Sequence, residues 1–288
     1  VSVGKATLQK YNVCKRHFSE FLEKQYKRSD LKLTELTYVV IREFDLYLRT
    51  EVGQNPNTAT KTMKTFKTIT LLGQKMGVLL HDPFMNHRFH IEPVNRGFLT
   101  DEEILSIAHK QINIPRLELI RDIFIFSCFT GLAYIDVSNL TPDHIVTLGD
   151  KQWIMTQRQK TSVETNVLLL DIPKAIIAKY GGKTYRNGKL FPMLTNQKTN
   201  SYLKEIADIC GIKKNLTFHL ARHTFATMSL SKGVPMESVS KMLGHTNIRT
   251  TQIYARITNK KIEHDMEELA DKLDKFNVFL SQTSRANE

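Results

Sequence analysis

The residues best able to act together chemically fall in one stretch, FHLARHTFATMSLSKG, residues 218–233. His219 and His223 are four apart and so share one face of a helix, the spacing by which zinc proteases offer two imidazoles to a metal. Such a site also needs a glutamate after the first histidine as general base, and here that position is Leu220. Arg222 stands between the pair, where a fixed positive charge repels a divalent cation and favours a phosphate. The pattern points to an anion clamp, with no metal and no cofactor expected. For the segment alone, histidines satisfied within a helical core are the competing reading.

The whole chain agrees with an anionic partner. Forty-one Lys and Arg against twenty-nine Asp and Glu leave a net charge of +12, which suggests a polyanion, most simply nucleic acid. At 288 residues two domains are expected, and 41% apolar with 24% charged residues is the balance of a soluble protein with a sizeable core. Cys14, Cys128 and Cys210 are far apart and sit among apolar residues, so buried thiols in a reducing cytoplasm are expected rather than disulfides. The longest near-apolar run, DIFIFSCFTGLAYI, is broken by Ser127, Thr130 and Gly131 and is too short to span a bilayer, and no signal peptide opens the chain. The first residue is Val1 rather than Met, so the sequence reads as a piece of a longer protein.

The elements that must position the cluster follow from periodicity. Leu8, Tyr11, Phe18, Phe21 and Leu22 keep a helical period, as do Ile41, Phe44 and Leu48. Ala59, Met63, Phe66, Ile69 and Leu72 give another helix ending near Gly77. These make a helical bundle over 1–90. The stretch HDPFMNHRFHIEPVNRGF loses the period, and 91–99 reads as a linker. A second domain over 100–257 opens with a capping box, Thr100 and Glu103, and helices near 101–110 and 117–128. HIVTL, QWIMTQ and NVLLLDI alternate as a three-stranded antiparallel sheet, with a turn at Gly149–Asp150. Helices return over 197–210, 218–232, 235–243 and 248–256, with Thr217 as cap and Gly233 as stop for the helix at 218. An amphipathic C-terminal helix falls within 258–288, with Ile262, Met266, Leu269 and Leu273 on one face. The fold class expected is mainly α with a small antiparallel β-sheet, in two domains.

Downstream of HLAR comes LGHTNIRTTQIYA, with His245 after Gly244 and Tyr254 nine residues on. This ordered set, His-x-x-Arg, Leu-Gly-His and a tyrosine, resembles the tyrosine recombinase (phage integrase) family over nearly the whole chain. The resemblance implies a SAM-like core-binding bundle followed by an α+β catalytic domain. Tyr254 is then the nucleophile that attacks a DNA phosphate, giving a 3′-phosphotyrosyl bond and a free 5′-hydroxyl without ATP. Arg222 and His219 hold the non-bridging oxygens, and His245 adds a further hydrogen bond. Lys160, in QRQKTS, resembles the family's mobile lysine and protonates the leaving 5′-oxygen.

One family residue is missing. Where the family has Thr-Gly-Leu-Arg, this chain reads FTGLAYIDVSNL, with Ala133 at the arginine's position and Asp136 keeping the acidic position beyond. Loss of one preorganised donor costs roughly 10²–10³ in rate. Arg158 is the candidate replacement, because residues i and i+2 of a strand share a face and Lys160 is two residues on. Arg116 and Arg121 are on the wrong side of their helix. The departure resembles the integrases of conjugative and mobilizable transposons.

Lys61, Lys64 and Lys67 recur every three residues as a candidate phosphate-backbone contact, the alternative being a solvated face. As partners the resemblance implies double-stranded DNA recombination sites gripped by a two-domain clamp, self-association into a tetramer on DNA through the C-terminal segment, and a DNA-bending accessory protein. Family integrases often carry an arm-binding domain before the core-binding bundle, and none is visible from Val1 onward. The leading expectation is the integrase of a mobile element working through a Holliday junction. The alternatives are a type IB topoisomerase-like enzyme and a sequence-specific DNA-binding protein with impaired catalysis.

Overall fold

The computed structural model describes residues 4–94, 97–160, 162–181, 185, 188–254 and 265–273. The chain divides into two compact units, Val1–Asn95 and Arg96–Glu288, each with a core of its own. It is mostly helical, with one three-stranded antiparallel sheet among the described residues.

The first unit contains α1 (Lys5–Phe21), prolonged by a π turn at Leu22–Tyr26, then α2 (Tyr38–Thr50) and α3 (Pro56–Lys75). Asn55 starts α3 by accepting a hydrogen bond from the Thr58 amide at 2.9 Å, with Pro56 in the first turn where its missing N–H costs nothing. The rings of Phe18, Phe44 and Phe66 meet with centroids 4.6–5.6 Å apart and close the core. The expected apolar stripe of α3 does not hold to its end. Ile69 is 39% and Leu72 58% exposed, while Thr60 and Thr70 are buried. The cause is a segment lying along that side of the helix. The Thr60 hydroxyl donates to the His90 carbonyl at 2.8 Å, and the Asn57 amide brackets the Glu92 backbone, accepting at 2.8 Å and donating at 3.0 Å. Phe84 from the same segment is buried against Phe66.

The second unit opens with α4 (Asp101–His109), and the Thr100–Glu103 capping box forms as the spacing predicts. The central helix is α5 (Pro115–Thr130), buried on most sides, followed by the short α6 (Tyr134–Asn139). Strands β1 (Ile145–Leu148), β2 (Lys151–Gln157) and β3 (Glu164–Leu168) pair in sequence order, with Ile154 opposite both Ile145 and Val167. NVLLLDI is a shorter strand than its pattern suggests, because β3 ends at Leu168 and Asp171 begins α7 (Asp171–Gly181). That helix is tied to α5 through buried Asp122, which accepts from Lys179 Nζ at 2.7 Å and Tyr180 Oη at 2.8 Å.

Four helices follow: α8 (Asn196–Ile209), α9 (Phe218–Ser231), α10 (Met236–Met242) and α11 (Arg249–Gln252). A further helical stretch covers 265–273. Thr217 occupies the N-cap position of α9, but its side chain makes no capping bond. Asn200 of α8 does so instead, its Oδ1 accepting from the Phe218 amide at 2.7 Å. The helix expected over 248–256 is a single turn, α11, followed by a turn at 253–254, and 255–257 lie outside the described residues. Cys14 and Cys128 are buried and Cys210 is half-buried, all as free thiols.

Candidate active site

Arg222 is the centre of the site. Phe218, Leu220, Ala221, Thr224 and Phe225 are buried around it, so α9 is enclosed on nearly every side and Arg222 is only 2% exposed. Its Nη1 donates to the Gly131 carbonyl at 2.8 Å and its Nη2 to the Leu243 carbonyl. One guanidinium therefore joins α9, the end of α5 and the end of α10. Gly131 is required by its own backbone, with φ 70°, and by its neighbour, since a Cβ there would lie 2.4 Å from the Phe225 ring. Burial and the nearby Arg158 charge lower the Arg222 pKa to about 10, with Tyr254 and Asp136 acting in the opposite direction. The group stays charged at neutral pH.

Arg158 follows the last residue of β2 and reaches the same turn. Its Nη1 donates to the Gly244 carbonyl at 3.3 Å, one residue beyond the carbonyl that Arg222 uses. Its Nε is buried and has no hydrogen-bond partner among the described residues. Gly244, with φ 60°, makes this approach possible, because a Cβ would stand 2.5 Å from Thr165 Oγ1 and 3.2 Å from Arg158 Cδ. Ala133 is the N-cap residue of α6 and offers only its backbone. The other arginines near that helix are engaged elsewhere. Arg121 donates to Asp122 and to the Lys110 carbonyl, and Arg116 pairs with Glu205 at 3.4 Å.

The histidines and the tyrosine complete the cluster. Tyr254 is 7% exposed and packs with Phe225, Leu230, Val239 and Leu243. Its ring meets the His223 ring edge to face at 4.9 Å, and His223 meets His219 in the same way at 4.5 Å. His245 lies nearly parallel to Tyr254 with centroids 6.5 Å apart, and its Nδ1 is 2.8 Å from Thr251 Oγ1. Burial first, then the charges of Arg222 and Arg158, lower the His245 pKa from 6.5 to about 4, so the ring is neutral at pH 7. Lys160 is exposed in the turn between β2 and β3. That turn is held by buried Asp136, which accepts from the Gln159 amide at 3.0 Å. Among the described residues no three His, Cys, Asp or Glu converge as metal ligands would.

This cluster sits inside a match to the phage integrase family over residues 98–261, and residues 2–91 match the phage integrase SAM-like domain. The chain belongs to the phage integrase family. Tyrosine recombinase XerD of Listeria monocytogenes is 42% identical over 149 residues, 46% of this chain and 48% of the relative, so the chain spans about half of that relative's length. Tyrosine recombinase XerC of Leptospira interrogans is 24% identical over 280 residues, 89% of this chain and 85% of the relative. Among solved structures, the Tn1549 transposon integrase in complex with a circular intermediate DNA has the same fold, with a TM-score of 0.72, 15% identity and coverage of 93% and 95% of the two chains.

The lysine face of this family member is only partly open. Lys61 and Lys64 are exposed on α3, but Lys67 is half-buried, 3.8 Å from Asp82 and over the rings of Phe84 and Phe89. Lys64 Nζ also lies over Phe89. The sequence offers His223 as half of a rejected metal pair or as a core histidine, and it gives no role to Thr251 or to the Gly131 and Leu243 carbonyls. His223 could have been found from the spacing, since it is on the helix face of His219. The carbonyls carry no side-chain signal at all.

Proposed function

We propose that the chain is a site-specific DNA recombinase that breaks and rejoins strands through Tyr254, acting as the integrase of a mobile element. The observation that carries this reading is the meeting of two guanidinium groups at adjacent carbonyls, Leu243 and Gly244, beside His245 and Tyr254. A buried concentration of positive charge next to a tyrosine suits a phosphodiester under attack, since donors fixed in a dry site stabilise the charge that develops on the non-bridging oxygens. Arg222, His245 and His219 take those oxygens. Arg158 supplies the guanidinium that Ala133 lacks, and as the Tyr254 hydroxyl gives its proton to water and its oxygen bonds to phosphorus, the bond to the 5′-oxygen breaks and Lys160 protonates that leaving oxygen. The bond energy stays in the 3′-phosphotyrosyl link, so neither ATP nor a metal is called for.

Strand exchange proceeds through a Holliday junction within a tetramer on DNA. The helical stretch 265–273 supports this assembly, because Met266, Leu269 and Leu273 share one face and are exposed. The mobile-element assignment rests on Ala133 with Arg158. Relatives named XerC and XerD support recombination more generally.

The test is a nicked suicide duplex spanning the ends of the host element, incubated with protein in EDTA and denatured in SDS. Mass spectrometry is expected to map a covalent adduct to Tyr254, with none in Tyr254→Phe. DNA that is bound without any adduct would overturn the enzymatic reading in favour of a binding protein. Relaxation of supercoiled plasmid without recombinant product would favour a topoisomerase.

A further inference from the structure

His245 is neutral at working pH because it is partly buried and faces the charges of Arg222 and Arg158, with the Tyr254 ring alongside. A neutral imidazole has one N–H, so which nitrogen carries it decides whether the ring can donate to a phosphate oxygen or only repel it. The contact that bears on this choice is the 2.8 Å approach of Nδ1 to Thr251 Oγ1.

Thr251 is fully buried, and its hydroxyl has no second hydrogen-bond partner among the described residues. Two proton arrangements fit the distance. If Nδ1–H donates to Oγ1, the hydroxyl proton is left buried without an acceptor, a cost of roughly 1–3 kcal/mol, and Nε2 presents a lone pair to the site. If the hydroxyl donates to Nδ1, the buried proton is satisfied and Nε2 carries the hydrogen. We propose that Thr251 is a positioning residue whose hydroxyl donates to His245 Nδ1, fixing the tautomer in which Nε2–H is available to the scissile phosphate. This rests on the reading of His245 as a phosphate donor. The same residue accepts the Tyr254 amide at its carbonyl, at 3.0 Å, so it joins the donor and the nucleophile through its two ends.

The experiment pairs Thr251→Val, which keeps the shape and removes the hydroxyl, with Thr251→Ser, which keeps the hydroxyl. Single-turnover cleavage of the nicked duplex by Thr251→Val is expected to fall roughly tenfold, the scale typical of losing an orienting partner, with DNA affinity unchanged. Thr251→Ser is expected to restore the rate, and Thr251→Val to add nothing in a His245→Gln background. Nitrogen NMR of ring-labelled protein, assigned with His245→Gln, is expected to read Nε2–H in the wild type and a mixture in Thr251→Val. Wild-type cleavage by Thr251→Val, an undiminished effect in the His245→Gln background, or an Nδ1–H wild-type ring each overturns the proposal. A wild-type protein that forms no Tyr254 adduct overturns the functional reading instead, and the ring spectrum, which needs no DNA, still decides where the proton sits.

Discussion

Arg158 is the residue on which the proposed chemistry of this site turns. Among the described residues its buried Nε lacks a partner and its Nη1 contact is long at 3.3 Å, so the side chain has donors to give. Arg158→Ala is expected to lower single-turnover cleavage by roughly 10²–10³, at least as much as Lys160→Ala, with little change in DNA affinity; near-normal cleavage would return Arg158 to a structural role. His245 gives a second prediction, read in stability. Its folded pKa is about 4 against 6.5 for an unperturbed ring. Between those values the unfolded chain takes a proton that the folded chain refuses. Stability is therefore full above about pH 6.5 and declines as pH falls toward 4. Denaturant midpoints across that range should flatten in His245→Gln, and an unchanged acid slope would mean that the ring is not held neutral.

Among the elements, the turn ending α5 has little room for change. Gly131→Ala combines a left-handed φ with a contact of 2.4 Å to the Phe225 ring, which is itself buried beside Tyr254. A loss of about 2 kcal/mol or more is expected in urea unfolding, together with slower cleavage, because the Gly131 carbonyl anchors Arg222. Elements were legible in the sequence where local signals decide them. The Thr100–Glu103 box and the Gly149–Asp150 turn formed at their predicted positions. They were not legible where a distant segment intervenes. The burial of Thr60 in place of Ile69 follows from residues 82–92 docking on α3, and Asn200 displaces Thr217 as the cap of α9 from another helix. In the site, the motifs nominate Arg222, His219, His245 and Tyr254 because each has a side chain with chemistry, and ring contacts link His219, His223, Tyr254 and His245 in the fold. The carbonyls that orient Arg222 could not, since backbone acceptors exist at every residue and only the fold selects two of them.

At the scale of the whole molecule, a net charge of +12 predicts that the affinity of the proposed DNA complex falls with salt. Lys61→Ala and Lys64→Ala are each expected to reduce the slope of log affinity against log salt by about 1, and Lys67→Ala by less, because its ammonium already faces Asp82. Equal slopes for all three would mean that the Asp82 pairing does not persist on DNA. Arg222 has a different consequence for the molecule as a whole. Among the described residues it heads the fully buried side chains by volume, and it is a charge facing a second charge. A buried charge beside a like charge is costly to desolvate, a cost that its hydrogen bonds to the Gly131 and Leu243 carbonyls offset only in part. The fold thus holds at its centre a residue whose stability cost the proposed reaction would account for. A library selected for heat resistance alone should drift toward methionine or leucine at position 222, and one selected for recombination should keep arginine there.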